Sequence, residues 1–111
     1  MRLEIRSRKP VSVGTRSSIV RRLRFVLGRF GSRVQSATVR LSVRVDARGY
    51  AAKRCRIIVR LEFGRIVCVE DAGEDLQAAI DRATGRIARS VQRALERSQT
   101  GMADEYEVDS R

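Results

Sequence analysis

Hydrophobic residues recur along the chain with two different periods, and the change from one to the other predicts six elements. Four stretches alternate apolar with polar residues, as strands with one buried face do; they are residues 1–6, 34–46, 53–61 and 65–70. Two other stretches repeat apolar residues every three or four positions, which is typical of amphipathic helices. The first begins near Ser12 or Thr15 and ends near Gly31, and the second covers residues 75–98.

The resulting order, β-α-β-β-β-α, predicts an α+β fold. The first β-α-β unit should be a right-handed parallel crossover, and the next three strands should form an antiparallel meander. Two helices are available to cover the apolar face of this four-stranded sheet, so we expect both to pack on that face. The apolar period ends at residue 98 and the sequence turns acidic, so we expect a domain at residues 1–98 and a flexible acidic tail at 99–111.

The periodic apolar positions form the predicted core. The helices contribute two inner faces, made of Ile19, Val20, Leu23, Val26, Leu27 and Phe30, and of Leu76, Ala79, Ile80, Ala83, Ile87, Val91 and Leu95. The strands add inward positions such as Val39, Leu41, Ile57 and Val59, and also Cys55 and Cys68.

Phe63-Gly64 looks like a tight hairpin turn, and a two-residue turn there pairs Cys68 with Val59. That register argues against a disulfide between Cys55 and Cys68. The other face of the sheet stays open, and we expect it to carry Arg40, Arg44, Arg54, Arg56 and Arg60 with Ile58, Val67 and Val69 among them.

Charge changes this picture from a bare fold to a candidate binding protein. The net charge is +11, and 22 of the 24 basic residues are arginine. Residues 1–60 hold 17 basic and 2 acidic residues. Arginine presents a planar fork of donors that matches phosphate, so the charge favours a nucleic acid or another polyanion. The alternative is a solvated basic surface whose arginines reflect a GC-rich genome.

A ladder of arginines along the second helix sharpens that interpretation. Its five members are spaced by 4, 3, 4 and 4 residues and therefore point the same way; they are Arg82, Arg86, Arg89, Arg93 and Arg97. Like charges at this spacing repel by a few tenths of a kcal/mol per pair, roughly. A polyanion along this side of the helix is the most direct reason for keeping them.

The sequence argues against an enzyme and predicts no catalytic residue, metal or cofactor. It has no histidine, no glycine-rich phosphate loop and no nucleophile beside a base. Four acids lie close together, at Glu70, Asp71, Glu74 and Asp75. Such a cluster could bind a hard cation. The preferred interpretation is a loop that caps the second helix and pairs with nearby arginines. No stretch approaches a membrane span or a signal peptide, so we expect a cytoplasmic protein without a membrane partner.

One segment resembles a known family. The run 74–81, EDLQAAID, is followed by a basic amphipathic helix. It is similar to the D-x-x-A-A-I-D segment of bacterial ribosome hibernation promoting factors, also called the ribosome-associated inhibitor or sigma-54 modulation family. The short first strand, the helix that ends near residues 29–34 and the alternating strand after it resemble that family too. The resemblance covers about residues 1–98.

The resemblance implies a fold like a double-stranded-RNA-binding domain and a role in translation regulation. It implies binding to 16S rRNA of the small ribosomal subunit, between head and body over the decoding region, which silences translation in hibernating ribosomes under stress. The resemblance implies that basic residues of both helices bind rRNA: Arg21, Arg22, Arg24, Arg29, Arg82, Arg86, Arg89 and Arg93. Arg97 is added to this predicted site because it is the last member of the ladder. The short tail resembles the short, stand-alone members, so we expect a monomer off the ribosome.

Two other functions remain open from the sequence. One is a protein-interaction module whose open sheet face binds a partner around Ile58, Val67 and Val69. The other is a generic RNA-binding protein without a preference for ribosomes. Few aromatic residues occur among the open-face positions, so base stacking of the RRM or OB type is disfavoured.

Overall fold

The structure, a computed structural model, describes residues 1–99 and 106–110. In chain order the described elements are β1 Arg2–Ser7, α1 Val13–Leu27, β2 Val34–Val45, β3 Ala51–Leu61, β4 Ile66–Gly73, α2 Leu76–Gln99 and β5 Tyr106–Ser110. Two short 3-10 helices, Gly28–Arg33 and Glu62–Gly64, lie in the connections. The predicted order β-α-β-β-β-α is therefore present, and one strand follows it.

The strands form one sheet in the order β1-β2-β3-β4-β5. β1 pairs with β2 in parallel across α1, and β2, β3 and β4 form the antiparallel meander that the sequence predicts. Buried residues of both helices and of β2, β3 and β4 share one core cluster. The α+β fold with both helices on one face of the sheet is thus confirmed.

The fifth strand corrects the predicted four-stranded sheet. β5 pairs with β4 in parallel, so α2 makes a second crossover connection. The outer edge of β4 presents unpaired N–H and C=O groups, and an extended segment can add to such an edge. The sequence expected a flexible tail over 99–111; residues 106–110 are a strand instead, whereas 100–105 and 111 lie outside the described residues. The division into domain and tail stays a prediction.

The helix-covered face carries the odd-numbered residues of the central strands. Ile57, Val59 and Val69 are fully buried there against both helices. Each helix contributes one stripe, with members such as Leu23 and Ile80 that are 1% exposed. Val26 and Phe30 of the predicted inner face, and Val20 as well, are only half-buried, since they lie at the margin of the α1 stripe.

The β3–β4 turn is one residue longer than the sequence predicted, and this shifts the hairpin register. The connection is Glu62–Gly64, and it is closed by a hydrogen bond of 2.7 Å from the Leu61 N–H to the Arg65 carbonyl. Phe63 adopts a φ of 63°, an uncommon left-handed conformation for a residue with a side chain. The pairing of Cys68 with Val59 is therefore wrong: Cys68 lies opposite Ile58.

Because side chains alternate along a strand, this shift exchanges the faces of β4. Val67 and Val69 lie on the helix-covered face and are fully buried, so their predicted place on the open face is wrong. Cys68 lies on the open face instead of pointing inward, and it is still only 1% exposed. The Arg56 Nε donates to its Sγ at 3.1 Å. Both cysteines are free thiols, as the argument against a disulfide expected.

Local capping explains where the helices begin. The Ser12 hydroxyl accepts the Thr15 N–H at 3.1 Å, which satisfies an otherwise orphaned donor of α1. The Asp75 carboxylate accepts the Gln77 N–H at 3.1 Å and caps α2 in the same way. α1 ends at Leu27, before the predicted Gly31, and the chain continues as the 3-10 helix in which Gly31 takes a φ of 57°.

Candidate nucleic-acid interface

The arginine ladder of α2 begins in ion pairs with β4. The Asp71 carboxylate accepts hydrogen bonds from Arg82 Nε at 2.9 Å and from Arg86 Nη1 at 2.7 Å. Both guanidinium groups also reach backbone carbonyls of β4, Arg82 at Ala72 and Arg86 at Glu70. The first two arginines of the ladder therefore attach α2 to the strand beneath it.

Arg86 is a structural residue rather than a solvent-facing one. It is 9% exposed, and the side chain of its partner Asp71 is 8% exposed. The sequence predicted that Arg86 faces solvent, and this is wrong. The physical reason is the width of the buried stripe on α2: Arg86 lies at its edge, where a long side chain bends down to the carboxylate of β4.

The remaining ladder residues differ in exposure. Arg89 and Arg93 are exposed, and Arg97 is half-buried. Arg93 Nη2 lies 3.3 Å from the hydroxyl of buried Ser90. Arg89 makes no ion pair within residues 1–97, so its guanidinium is available to a partner outside the chain.

The arginines predicted on the first helix divide into two groups. Arg22 Nη1 of α1 lies 2.6 Å from the Asp81 carboxylate of α2. Arg29, which lies in the 3-10 helix after α1, donates from Nη2 to the Gln92 side chain at 3.0 Å and lies over the Phe30 ring. Arg21 and Arg24 are exposed. Within the described part of the chain neither of these two makes an ion pair.

The two helices do not merge their arginines into one continuous row. Asp81 and Gln92 of α2 contact α1 and the 3-10 helix after it, whereas Arg82 and Arg86 contact β4. The ladder thus lies on the side of α2 away from α1. Besides the exposed but paired Arg22, Arg29 and Arg82, the helix layer carries exposed Arg21 and Arg24 on α1 and exposed Arg89 and Arg93 on α2.

The acidic residues around the β4–α2 connection are engaged with arginines and with the helix start. Glu70 pairs with Arg54, Asp71 pairs with two ladder arginines, and Asp75 caps α2. The predicted pairing with arginines is confirmed for Glu70 and Asp71, and the predicted cap for Asp75. Glu70 and Asp71 lie in β4, however, and not in a loop, because the strand extends to Gly73. In residues 1–97 no three histidine, cysteine or acidic side chains converge as a metal site requires.

The thiol of Cys55 lies in the core of the domain. Burial in the core, with the Asp71 carboxylate nearby, raises the pKa of Cys55 to about 12. The thiolate is the reactive form of cysteine, so this thiol is inert at neutral pH. Together with its complete burial, this agrees with the expected role of a small core hydrophobe.

No helix within the described residues combines the length and the apolar character that crossing a bilayer requires. Exposed arginines lie both on the helix layer and on the open face of the sheet. The open face also carries Arg6, which the sequence analysis did not count. Only the parallel register of β1 on β2 brings Arg6 beside Arg40.

The profile of the sigma 54 modulation protein / S30EA ribosomal protein family matches residues 4–99 of this chain. The chain belongs to this family. Its members are ribosome-associated proteins, and the family resemblance inferred from the EDLQAAID segment is confirmed.

Two solved structures have folds similar to that of this chain. The Protein Y N-terminal domain of Thermus thermophilus is 30% identical, has a TM-score of 0.61, and aligns over 83% of this chain and 93% of its own. A ribosomal subunit interface protein from Coxiella burnetii is 11% identical with a TM-score of 0.70, over 86% of this chain and 99% of its own. The second likeness concerns the fold alone. No curated protein matches the chain.

Proposed function

We propose that this S30EA family member is a cytoplasmic translation inhibitor that binds 16S rRNA of the small ribosomal subunit over the decoding region and holds ribosomes in hibernation under stress. Its role is binding, without catalysis or a cofactor. The observation that carries the proposal is the set of exposed arginines on the helix layer of a chain that belongs to a ribosome-associated family.

The exposed helix arginines supply the proposed contacts with phosphate. Arg21, Arg24, Arg89 and Arg93 extend into solvent on a layer where positive charge is in excess. Arginines spaced along a helix fit a charged backbone better than base edges, so phosphate contacts should dominate. Each neutralised phosphate adds roughly 0.7–0.9 to the slope of log affinity against log salt.

The other predicted site residues take graded parts in this proposal. Arg22, Arg29 and Arg82 are exposed but already paired, so a phosphate can share or replace their present acceptors. Arg97 is half-buried at the far end of the ladder. Arg86 is excluded from direct contact, because its guanidinium is buried against Asp71. It is proposed as a positioning residue that fixes α2 on the sheet.

The test is co-sedimentation with 30S and 70S particles at low and high salt. Charge reversal at two exposed ladder residues, Arg89→Glu with Arg93→Glu, should abolish association and relieve inhibition of translation in a cell-free assay. The matched control reverses two exposed charges on the open sheet face, Arg40→Glu with Arg44→Glu, and should affect association less. Circular dichroism checks that both variants fold.

Two results count against the proposal. If the sheet-face variant loses ribosomes while the helix variant keeps them, the wrong surface has been chosen. If the unmodified protein does not co-sediment at low salt, the hibernation function fails.

The structure weakens the rival protein-interaction module. Its apolar centre was expected at Ile58, Val67 and Val69, but Val67 and Val69 are fully buried under the helices. Ile58 is half-buried opposite Thr38 and Cys68. Along β3 its neighbours on the open face are Arg56 and Arg60, so no apolar centre forms there. If the protein binds naked RNA as tightly as it binds ribosomes, it is a generic RNA-binding protein.

A further inference from the structure

We propose that the open face of the sheet is a second RNA-binding surface. It holds the phosphate backbone of an RNA segment other than the one at the helix layer, so that one molecule bridges two segments. This inference goes beyond the proposed function, because it requires RNA but no ribosome.

The strand register brings three arginines into one row across the open face. Arg6 of β1 pairs with Arg40 of β2, Arg40 pairs with Arg56 of β3, and the row ends at Glu70 of β4. In the antiparallel pair of Arg40 and Arg56 the Cβ atoms are ~4.5–5.5 Å apart, where like charges destabilise the sheet. An anion at Arg40 would relieve this repulsion.

Among the residues that the structure describes on β1–β4, the open face carries far fewer acids than arginines. Its positions on β1–β4 hold two glutamates, Glu4 and Glu70, against a much larger set of arginines: Arg2, Arg6, Arg40, Arg44, Arg54, Arg56 and Arg60. Glu4 pairs with Arg6 and Glu70 with Arg54. Arg40, in the middle of the row, is exposed and makes no ion pair with the described residues.

β5 extends the sheet beside β4, with β3 and β4 between it and the β2 strand that carries Arg40. An RNA phosphate would supply the counter-charge of Arg40.

The chemistry of the face fits phosphate. A shallow depression runs along the row, and five arginines line it together with Ser42 and the carboxylate of Glu70: Arg6, Arg8, Arg40, Arg54 and Arg56. Guanidinium forks and hydroxyl groups are the side chains that contact phosphate oxygens. No aromatic residue occupies an open-face position of β1–β4, so these four strands offer bases no ring to stack on. The contacts would thus be with the backbone of RNA and independent of its sequence.

Two RNA surfaces on opposite sides of one sheet give the molecule a bridging geometry. The helices cover the face that carries the odd-numbered residues, and the arginine row lies on the other side. A short RNA held at Arg89 and Arg93 cannot reach the row, because the sheet and the helix layer stand between them. A second RNA can bind there at the same time.

The test is a capture assay with two short, non-complementary uridine-rich RNAs. One RNA is immobilised, the full-length protein is added, and capture of the labelled second RNA is measured against salt. The sheet-face variant Arg6→Gln with Arg40→Gln should still bind the immobilised RNA but capture about tenfold less of the second. The salt slope of capture should fall by ~1.4, since each phosphate contact with a single strand contributes ~0.7. Arg40→Gln alone is the second variant and should give a smaller loss in the same direction.

Two control variants separate this surface from net charge and from the helix layer. Arg16→Gln with Arg48→Gln removes two exposed charges that belong to neither set of proposed RNA-contacting arginines, and it should capture like the unmodified protein. Arg89→Gln with Arg93→Gln should also lose capture, because bridging needs both sides. Capture that is unchanged in the sheet-face variant overturns the inference. So does a face that binds a polyglutamate peptide and not RNA, which points to an acidic protein partner. A protein that captures two RNAs but fails to co-sediment with 30S keeps this inference and loses the proposed function.

Discussion

At the scale of single residues, the ion pair between Arg86 and Asp71 decides how the ladder is interpreted. Helical spacing places Arg86 with the other ladder arginines, but it does not tell whether a long side chain extends outward or bends down. The outcome depends on Asp71, fifteen residues earlier on β4, whose carboxylate lies 2.7 Å from Arg86. Sequence reasoning identified arginines near acids in this region but could not show which ladder member becomes buried.

Removing one partner of this pair should destabilise the domain. Arg86→Gln removes one of the two guanidinium groups that neutralise the buried Asp71 carboxylate. Breaking a buried ion pair costs about 3–5 kcal/mol of unfolding free energy. Because Asp71 keeps Arg82 as a partner, we expect the lower part of that range. Urea denaturation measures the effect. Arg89→Gln is the matched control on the same helix and should change the unfolding free energy by less than about 0.5 kcal/mol. Equal stability of the two variants would mean that Arg86 is not structural.

The raised pKa of Cys55 predicts a loss of stability at alkaline pH. The folded-state pKa of about 12 lies above the value of 9.0 for an exposed thiol, so the folded state keeps its proton longer than the unfolded state. The contribution is fully present below pH 9 and is lost as the pH rises from about 9 to about 12. Cys55→Val lacks the titrating group, so its unfolding free energy should fall less over this window. Parallel curves for the two proteins would contradict the shift.

At the scale of elements, the sequence predicted the strands and helices well because their apolar periods are clear. Turn length was harder: one extra residue at Glu62–Gly64 exchanged the faces of β4 and moved Val67 and Val69 into the core. The local sequence Phe63-Gly64 suits turns of two or three residues, and only packing against the helices selects the register. The sequence also could not predict the row of Arg6, Arg40 and Arg56, because the row depends on the register of three strands.

The α2 stripe should dominate the packing of the helix on the sheet. Ile80 is 1% exposed within the core cluster, so Ile80→Ala should cost about 2–5 kcal/mol through lost transfer energy and a cavity. Phe25→Ala is a suitable control, because Phe25 is 84% exposed on α1. Thermal and urea denaturation compare the two variants. A stable Ile80→Ala protein would place the core elsewhere.

The acidic tail should weaken RNA binding by the intact chain. Residues 102–111 hold four acids and one arginine, and their charge opposes a polyanion. A chain that ends at Gln99 should bind an RNA duplex slightly more tightly in fluorescence anisotropy, with nearly unchanged thermal stability, because only the short edge strand β5 is lost from the sheet. A full-length variant with the four acids changed to Asn or Gln separates charge from the strand and should show the same gain. Unchanged affinity in both proteins would rule out an electrostatic role of the tail.

At the scale of the whole molecule, basic charge lies on both sides of one thin domain, while the core between them is apolar. Composition predicted a polyanion partner and the EDLQAAID segment predicted the family, because neither depends on how the chain folds. The distribution of exposed arginines over two faces is a property of the fold. It separates Arg21 and Arg24 from Arg89 and Arg93, and both pairs from the row on the open sheet face.

The most direct test of the proposed function is chemical footprinting of 16S rRNA in 30S particles with the full-length protein. The unmodified protein should protect backbone positions between head and body at the decoding region, and the protection should fade as salt is raised. The Arg89→Glu, Arg93→Glu variant should give no protection, while Arg40→Glu with Arg44→Glu should keep it. Protection at a different part of the subunit, or protection that the helix variant retains, would contradict binding of the decoding region through the helix-layer arginines.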